Sequence, residues 1–204
     1  FDVISAEINA TRPMNRMLQG EVGSGKTIVS VLAMLQMIDS GYQCALLAPT
    51  EVLAAQHAQS IRAMLGPLGM AGQLGGADNA TRVALLTGSM SAQQKRDVRD
   101  VVASGEAGIV IGTHALLQDA VEFDRLGMVV VDEQHRFGVE QRDRLRAKAP
   151  DGMTPHLLVM TATPIPRTVA LAVYGDLEIS TLRELPRGRQ PITTNTIFVS
   201  QKPA

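Results

Sequence analysis

Two short strings hold the residues whose types and spacing could do chemistry. The first, Gly20-Glu21-Val22-Gly23-Ser24-Gly25-Lys26-Thr27, spells G-x-x-x-x-G-K-[ST] in full. Glycines let backbone N–H groups curl around phosphate oxygens with no Cβ in the way, and a helix starting there adds further donors. Gly20, Gly23, Ser24, Gly25, Lys26 and Thr27 are therefore the expected cradle of a nucleoside triphosphate. Lys26 would neutralise the β- and γ-phosphates of ATP, and Thr27 would ligate Mg2+ through its hydroxyl.

The second string, Leu126 to His135, is an apolar run that stops on two acids, Asp132 and Glu133. Carboxylates at the end of a buried strand are costly unless they meet a cation or a partner. Asp132 is expected to help hold Mg2+, and Glu133 to orient and deprotonate the attacking water. Taken alone, the same pair would also suit a solvated helix start, where acids are favoured. Beside a complete phosphate loop, catalysis is the better reading. His57, His114, His135 and His156 show no metal-ligand spacing such as H-x-x-x-H, which argues against zinc.

These residues need a scaffold that places them together. Short apolar runs at 15–19, 43–48, 82–86, 108–112, 128–131 and 157–160 are rich in Val, Ile and Leu with little alternation. That pattern fits strands of a parallel sheet covered on both faces. Amphipathic stretches at 26–40, 51–65, 91–103, 139–147 and 167–174 separate them. Strand followed by helix, repeated, predicts an α/β fold with a mostly parallel sheet and helices on both faces. The phosphate loop then falls between a strand and a helix, as its chemistry requires. Residues 66–81 hold five glycines and read as a long loop. After Tyr174 the texture changes, so residues 1–175 form the expected domain and 176–204 an exit linker.

Composition narrows the function classes. The 19 Lys and Arg against 20 Asp and Glu leave a net charge of −1, where a self-sufficient DNA-binding module would be strongly basic. Aromatics make up 3% with no Trp, so there is no obvious platform for stacking bases. Any grip on DNA is expected to be on the backbone, with help from neighbouring domains. No apolar run is long enough for a membrane span. The chain opens on Phe1 without a signal-peptide pattern, which reads as a fragment of a longer protein. The single cysteine, Cys44, sits in an apolar run and is expected to be buried, in keeping with a reducing, cytoplasmic setting.

The order of the remaining motifs resembles the RecG family of superfamily-two helicases, from Pro13 to about Thr194. Asp132-Glu133-Gln134-His135 resembles a DEAD/DExH box. The string continuing Arg136-Phe137-Gly138-Val139-Glu140-Gln141-Arg142 is similar to that family in particular. Residues 48–57, beginning Ala48-Pro49-Thr50-Glu51, resemble motif Ia. Gly112-Thr113-His114-Ala115-Leu116-Leu117-Gln118 resembles motif Ib. Residues 160–168, beginning Met160-Thr161-Ala162-Thr163, resemble motif III with an extension.

The resemblance implies a RecA-like P-loop NTPase domain, the first of two, that uses ATP and Mg2+. It implies DNA-backbone contacts for Thr50, Glu51 and Thr113. Thr161 and Thr163 would link the nucleotide to the DNA side through Gln134 and His135, although plain strand-end hydrogen bonding also suits the two threonines. The implied substrate is branched double-stranded DNA, at stalled forks and Holliday junctions. Transcription-repair coupling translocases share the extended motifs. Gln134, where that family is expected to carry Glu, and the Gln141-Arg142 pair side with the RecG family. A P-loop ATPase driving transport or assembly is a further reading. Of these, the ABC transporter is disfavoured because no L-S-G-G-Q string lies between the phosphate loop and Asp132, and a non-catalytic scaffold stays open. The adenine-contacting glutamine, second RecA-like domain and N-terminal wedge of the family are not evident, and neither Arg167 nor Arg189 stands at a finger position. These 204 residues alone are therefore expected to bind ATP weakly and hydrolyse it slowly.

Overall fold

In the computed structural model, residues 1–132, 139–166, 168–169 and 177–182 are described, with the side chains of 139 and 142 left aside. Among the described residues, seven strands form one sheet: β1 (Asn15–Gly20), β2 (Gln43–Leu47), β3 (Arg82–Leu86), β4 (Ala107–Gly112), β5 (Leu126–Asp132), β6 (His156–Thr161) and β7 (Glu178–Leu182). Their order is β3-β4-β2-β5-β6-β1-β7, and every neighbouring pair is parallel. The helices are α1 (Asp2–Ile8), α2 (Lys26–Asp39), α3 (Glu51–Leu65), α4 (Ala92–Ala103) and α5 (Val139–Ala147).

The apolar runs have a physical reason here. Along β2, Leu46 faces one core while Ala45 and Leu47 face the other; along β5, Met128 and Val130 oppose Val129 and Val131. Side chains alternate faces with period two, so covering both faces demands an apolar residue at every position. The first core gathers apolar residues of α1, α2 and α3; the second takes Val102 of α4 and Leu145 of α5. Each fully buried Leu or Ile contributes about 1.5–3 kcal/mol relative to exposure. Cys44 is wholly buried as expected; its thiol donates to the Met34 carbonyl at 3.5 Å, and burial raises its pKa.

All six expected strands are present, with bounds moved by up to two residues. Four of the five expected helices are present. Most of the fifth, 167–174, lies outside the described residues. One reading needs correction: residues 178–182 are not linker but β7, paired with β1 from Arg16↔Glu178 to Gly20↔Leu182. Its one charge, Glu178, masks it in sequence, yet Ser180 accepts a 2.6 Å hydrogen bond from Arg16 Nη1, and Glu7 of α1 engages the other side of that guanidinium. Arg16 is only 7% exposed, so this pairing is what makes its burial tolerable. The short helix α1 was also not legible, having no side-chain cap to announce it.

Residues 66–81 hold no strand or α-helix, as expected, yet fold on themselves. A 3-10 turn at Gly66–Gly69 leads into backbone bonds from Ala77 N to Pro67 O and from Thr81 N to Leu68 O, at 3.0 and 2.7 Å.

Candidate functional site

A parallel sheet collects all its strand C-termini on one edge. Here that edge splits into two regions. β1, β5, β6 and β7 carry Gly20, Asp132, Thr161 and Leu182 at their ends; β2, β3 and β4 lead into Thr50, Thr87 and Thr113.

The first region is built around the loop between β1 and α2. Gly23 and Gly25 hold φ of 81° and 92°, a left-handed backbone that residues with a Cβ rarely adopt. Gly25 is the N-cap of α2, so the helix points its unpaired N–H groups at the loop. A Cβ on Gly20 would collide with Ser24 Oγ and come within 3.1 Å of the Leu182 Cβ. β7 therefore backs the loop directly. Lys26 donates to the Gly20 carbonyl and, at 2.9 Å, to the Glu21 carbonyl. Its ammonium is thus held against the cradle by bonds that a phosphate could replace. Ser24 Oγ is buried and without a hydrogen-bond partner among the described residues. An orphaned hydroxyl beside backbone donors, with a charged Lys26, suits a polyphosphate.

Asp132 ends β5, its side chain 16% exposed. The registers Asp132↔Met160 and Gln19↔Thr161 carry the edge across β5, β6 and β1. Thr27 and Asp132 offer oxygen donors, the chemistry Mg2+ demands, and a site with few protein ligands leaves room for water and phosphate oxygens. Mg·ATP therefore fits the residues present. Thr161 is buried, donating to Thr163 O at 3.2 Å while accepting from Thr163 N at 3.1 Å. Gln19 Nε2 donates to Ile165 O at 3.2 Å, tying the segment after β6 to the strand that leads into the loop. Glu133, Gln134 and His135 lie outside the described residues.

In the second region, exposed Thr50 caps α3, its hydroxyl accepting from Leu53 N at 3.2 Å. Glu51 accepts from Ser89 N at 3.0 Å, and hydrogen bonding to Ser89, from its side chain first and its backbone second, lowers the carboxyl pKa. Ser91 and Gln94 close a reciprocal capping box on α4. Thr113 is turned inward, 5% exposed, with its hydroxyl accepting from Ala115 N at 3.4 Å; His114 beside it is exposed. The structure thus groups Thr50, Glu51 and Thr113 at adjacent strand ends and adds the β3–α4 loop, which sequence reasoning passed over.

It also passed over His57. The buried face of α3 comprises Ala54, Ala58, Ile61 and Leu65, and His57 falls three residues after Ala54 and four before Ile61. Its Nε2 lies 2.5 Å from Asp132 Oδ2. The helical spacing was visible in sequence; the destination was not.

Comparison with known proteins agrees with this geometry. The profile of the DEAD/DEAH box helicase family matches residues 4–172. The chain belongs to that family. Along all 204 residues it is 80% identical to the ATP-dependent DNA helicase RecG of Mycobacterium bovis, while spanning 28% of that relative's length. These residues correspond to the RecA-like motor segment of RecG. A solved structure of RecG bound to a three-way DNA junction superposes with a TM-score of 0.73 at 39% identity, covering 94% of this chain and 24% of that one. The Hef helicase domain of Pyrococcus furiosus shares the fold, with a TM-score of 0.60 at 20% identity over 90% of this chain and 38% of that one. Among the described residues no helix is long and apolar enough to cross a membrane.

Proposed function

We propose that this chain is the ATP-binding motor of a cytoplasmic, RecG-type DNA translocase that remodels branched duplex DNA at stalled forks and Holliday junctions. The observation that carries the reading is the glycine cradle of β1 and α2 on the same sheet edge as Asp132, in a chain 80% identical throughout to RecG. Gly20, Gly23, Ser24, Gly25 and Lys26 bind the phosphates, and Thr27 and Asp132 hold the metal. When bound, Mg2+ supplies charge neutralisation at the transferring phosphoryl group. Glu133 orients water. Thr50, Glu51 and the Thr113 turn meet the DNA backbone, and Gln134, His135, Thr161 and Thr163 couple the two regions. A second RecA-like domain and a wedge complete the machine, so these residues alone turn over ATP slowly. An arginine supplied across a cleft is worth about 10³–10⁵ in rate in related chemistry.

The test is ATP hydrolysis by the full-length protein on a four-way junction against linear duplex, with Lys26→Ala as the blank. Preference for the junction, reduced about 10²–10³-fold or more in the variant, supports the proposal. Equal stimulation by plain duplex favours a transcription-coupled translocase, and no response to DNA overturns the helicase reading.

A further inference from the structure

His57 belongs to the helix that follows β2, yet its side chain is committed to the acid at the end of β5. The Nε2–Oδ2 separation is 2.5 Å, and the two side chains are 15% and 16% exposed. An ionised carboxylate only accepts, so the hydrogen of this bond resides on His57 Nε2, whatever the state of the other ring nitrogen. α3, which carries the imidazole, is itself anchored in three ways. Its buried stripe packs on β3 and β4, Thr50 caps its first turn, and Glu51 is bonded to Ser89.

We infer that His57 is a positioning residue for Asp132: it holds Oδ2 and so presents Oδ1 to the Mg2+ of the bound nucleotide. Ligating carboxylates depend on such outer partners, whose removal typically costs about 10–100-fold in metal affinity. The arrangement also joins the two regions of the sheet edge. A helix whose first turn faces the expected DNA path carries, two turns later and about 10 Å along its axis, the group that sets the metal-side carboxylate. A rival interpretation makes opposite predictions. If His57 merely neutralised Asp132 in the nucleotide-free state and had to be displaced, removing it would strengthen Mg2+ binding.

This inference rests on the proposed Mg·ATP site, and the test separates the two. A fluorescent ADP analogue is titrated onto the full-length protein in EDTA and across a Mg2+ series, without DNA or turnover. Wild type, Asp132→Asn, His57→Ala and His57→Gln are compared, with thermal melts in EDTA to confirm folding. The expected result is a Mg2+ midpoint raised about 10–100-fold in His57→Ala. Affinity in EDTA stays unchanged, and recovery is at least partial in His57→Gln, whose amide also donates. An unchanged or lowered midpoint in folded His57→Ala overturns the inference. Should His57→Ala not fold, an unaltered midpoint in a His57→Phe variant that does fold overturns it as well. If wild type itself shows no Mg2+-dependent gain, or Asp132→Asn leaves that gain intact, the site assignment fails instead.

Discussion

The two regions of the sheet edge are built by different means. Around β1 and α2, the loop depends on backbone: left-handed glycines at 23 and 25, a Gly20 pressed against Ser24, and a Lys26 bonded to main-chain carbonyls. Around β2, β3 and β4 the ends are held by side chains, with Thr50, Glu51, Ser91 and Thr113 each satisfying N–H groups of a turn or helix start. A backbone cradle can approach phosphate oxygens closely but leaves little room at Gly20 for an added atom. A side-chain-capped rim loses one bond at a time. The difference teaches where this protein is brittle and where it is tolerant.

Gly20→Ala should have the largest effect. The new methyl collides with Ser24 Oγ and crowds Leu182, so we expect at least a tenfold loss of nucleotide affinity and about 1–3 kcal/mol of stability. Nucleotide titration together with urea denaturation checks both. Unaltered affinity would break the contrast, because the cradle would then have slack after all.

Thr50→Ala is milder and falls on the other region. Loss of the cap on α3 should cost about 1 kcal/mol and weaken duplex binding, with Thr50→Ser restoring much of each. Nucleotide affinity in EDTA, without DNA, should stay put. If it drops as far as DNA affinity does, the two regions are not separable.

The smallest effect lies at the opposite edge of the sheet and serves as a control for both. His156 Nδ1 accepts from Met14 N–H at 2.8 Å, and burial lowers the imidazole pKa below its usual 6.5, partly countered by Glu7. The unfolded chain therefore binds the proton more readily than the folded one. His156 contributes full stability above pH 6.5, and that contribution falls as the pH drops through 6.5 toward the lowered folded-state value. His156→Asn keeps an acceptor that does not titrate. Its stability should vary less between pH 7 and pH 5 in denaturant melts, with nucleotide affinity at pH 7 unaffected. An identical pH profile would show that His156 is not the group responsible.

Much of this is legible in the amino-acid sequence. The phosphate loop declares itself because its glycines and lysine are contiguous, and six strands declare themselves because a doubly covered strand must be apolar at every position. β7 escaped because it is an edge strand: Glu178 and Thr181 are exposed, and a half-covered strand with a charge resembles a linker. The resemblance implies a DNA-backbone contact for Thr113, and only the packing of the turn after β4 shows its side chain facing inward.

Sequence by itself determined the class of fold, the glycine loop after β1 and the acid that ends β5, because each depends on residues close together in the chain. Tertiary structure alone decided which distant side chains meet: Arg16 with Ser180, Gln19 with Ile165, and His57 with Asp132, separated by 75 residues. Helical periodicity told which way His57 points, but the strand order β4-β2-β5 is what puts Asp132 within its reach. Strand order follows from how the crossovers pack, a property of the whole domain that no local pattern encodes.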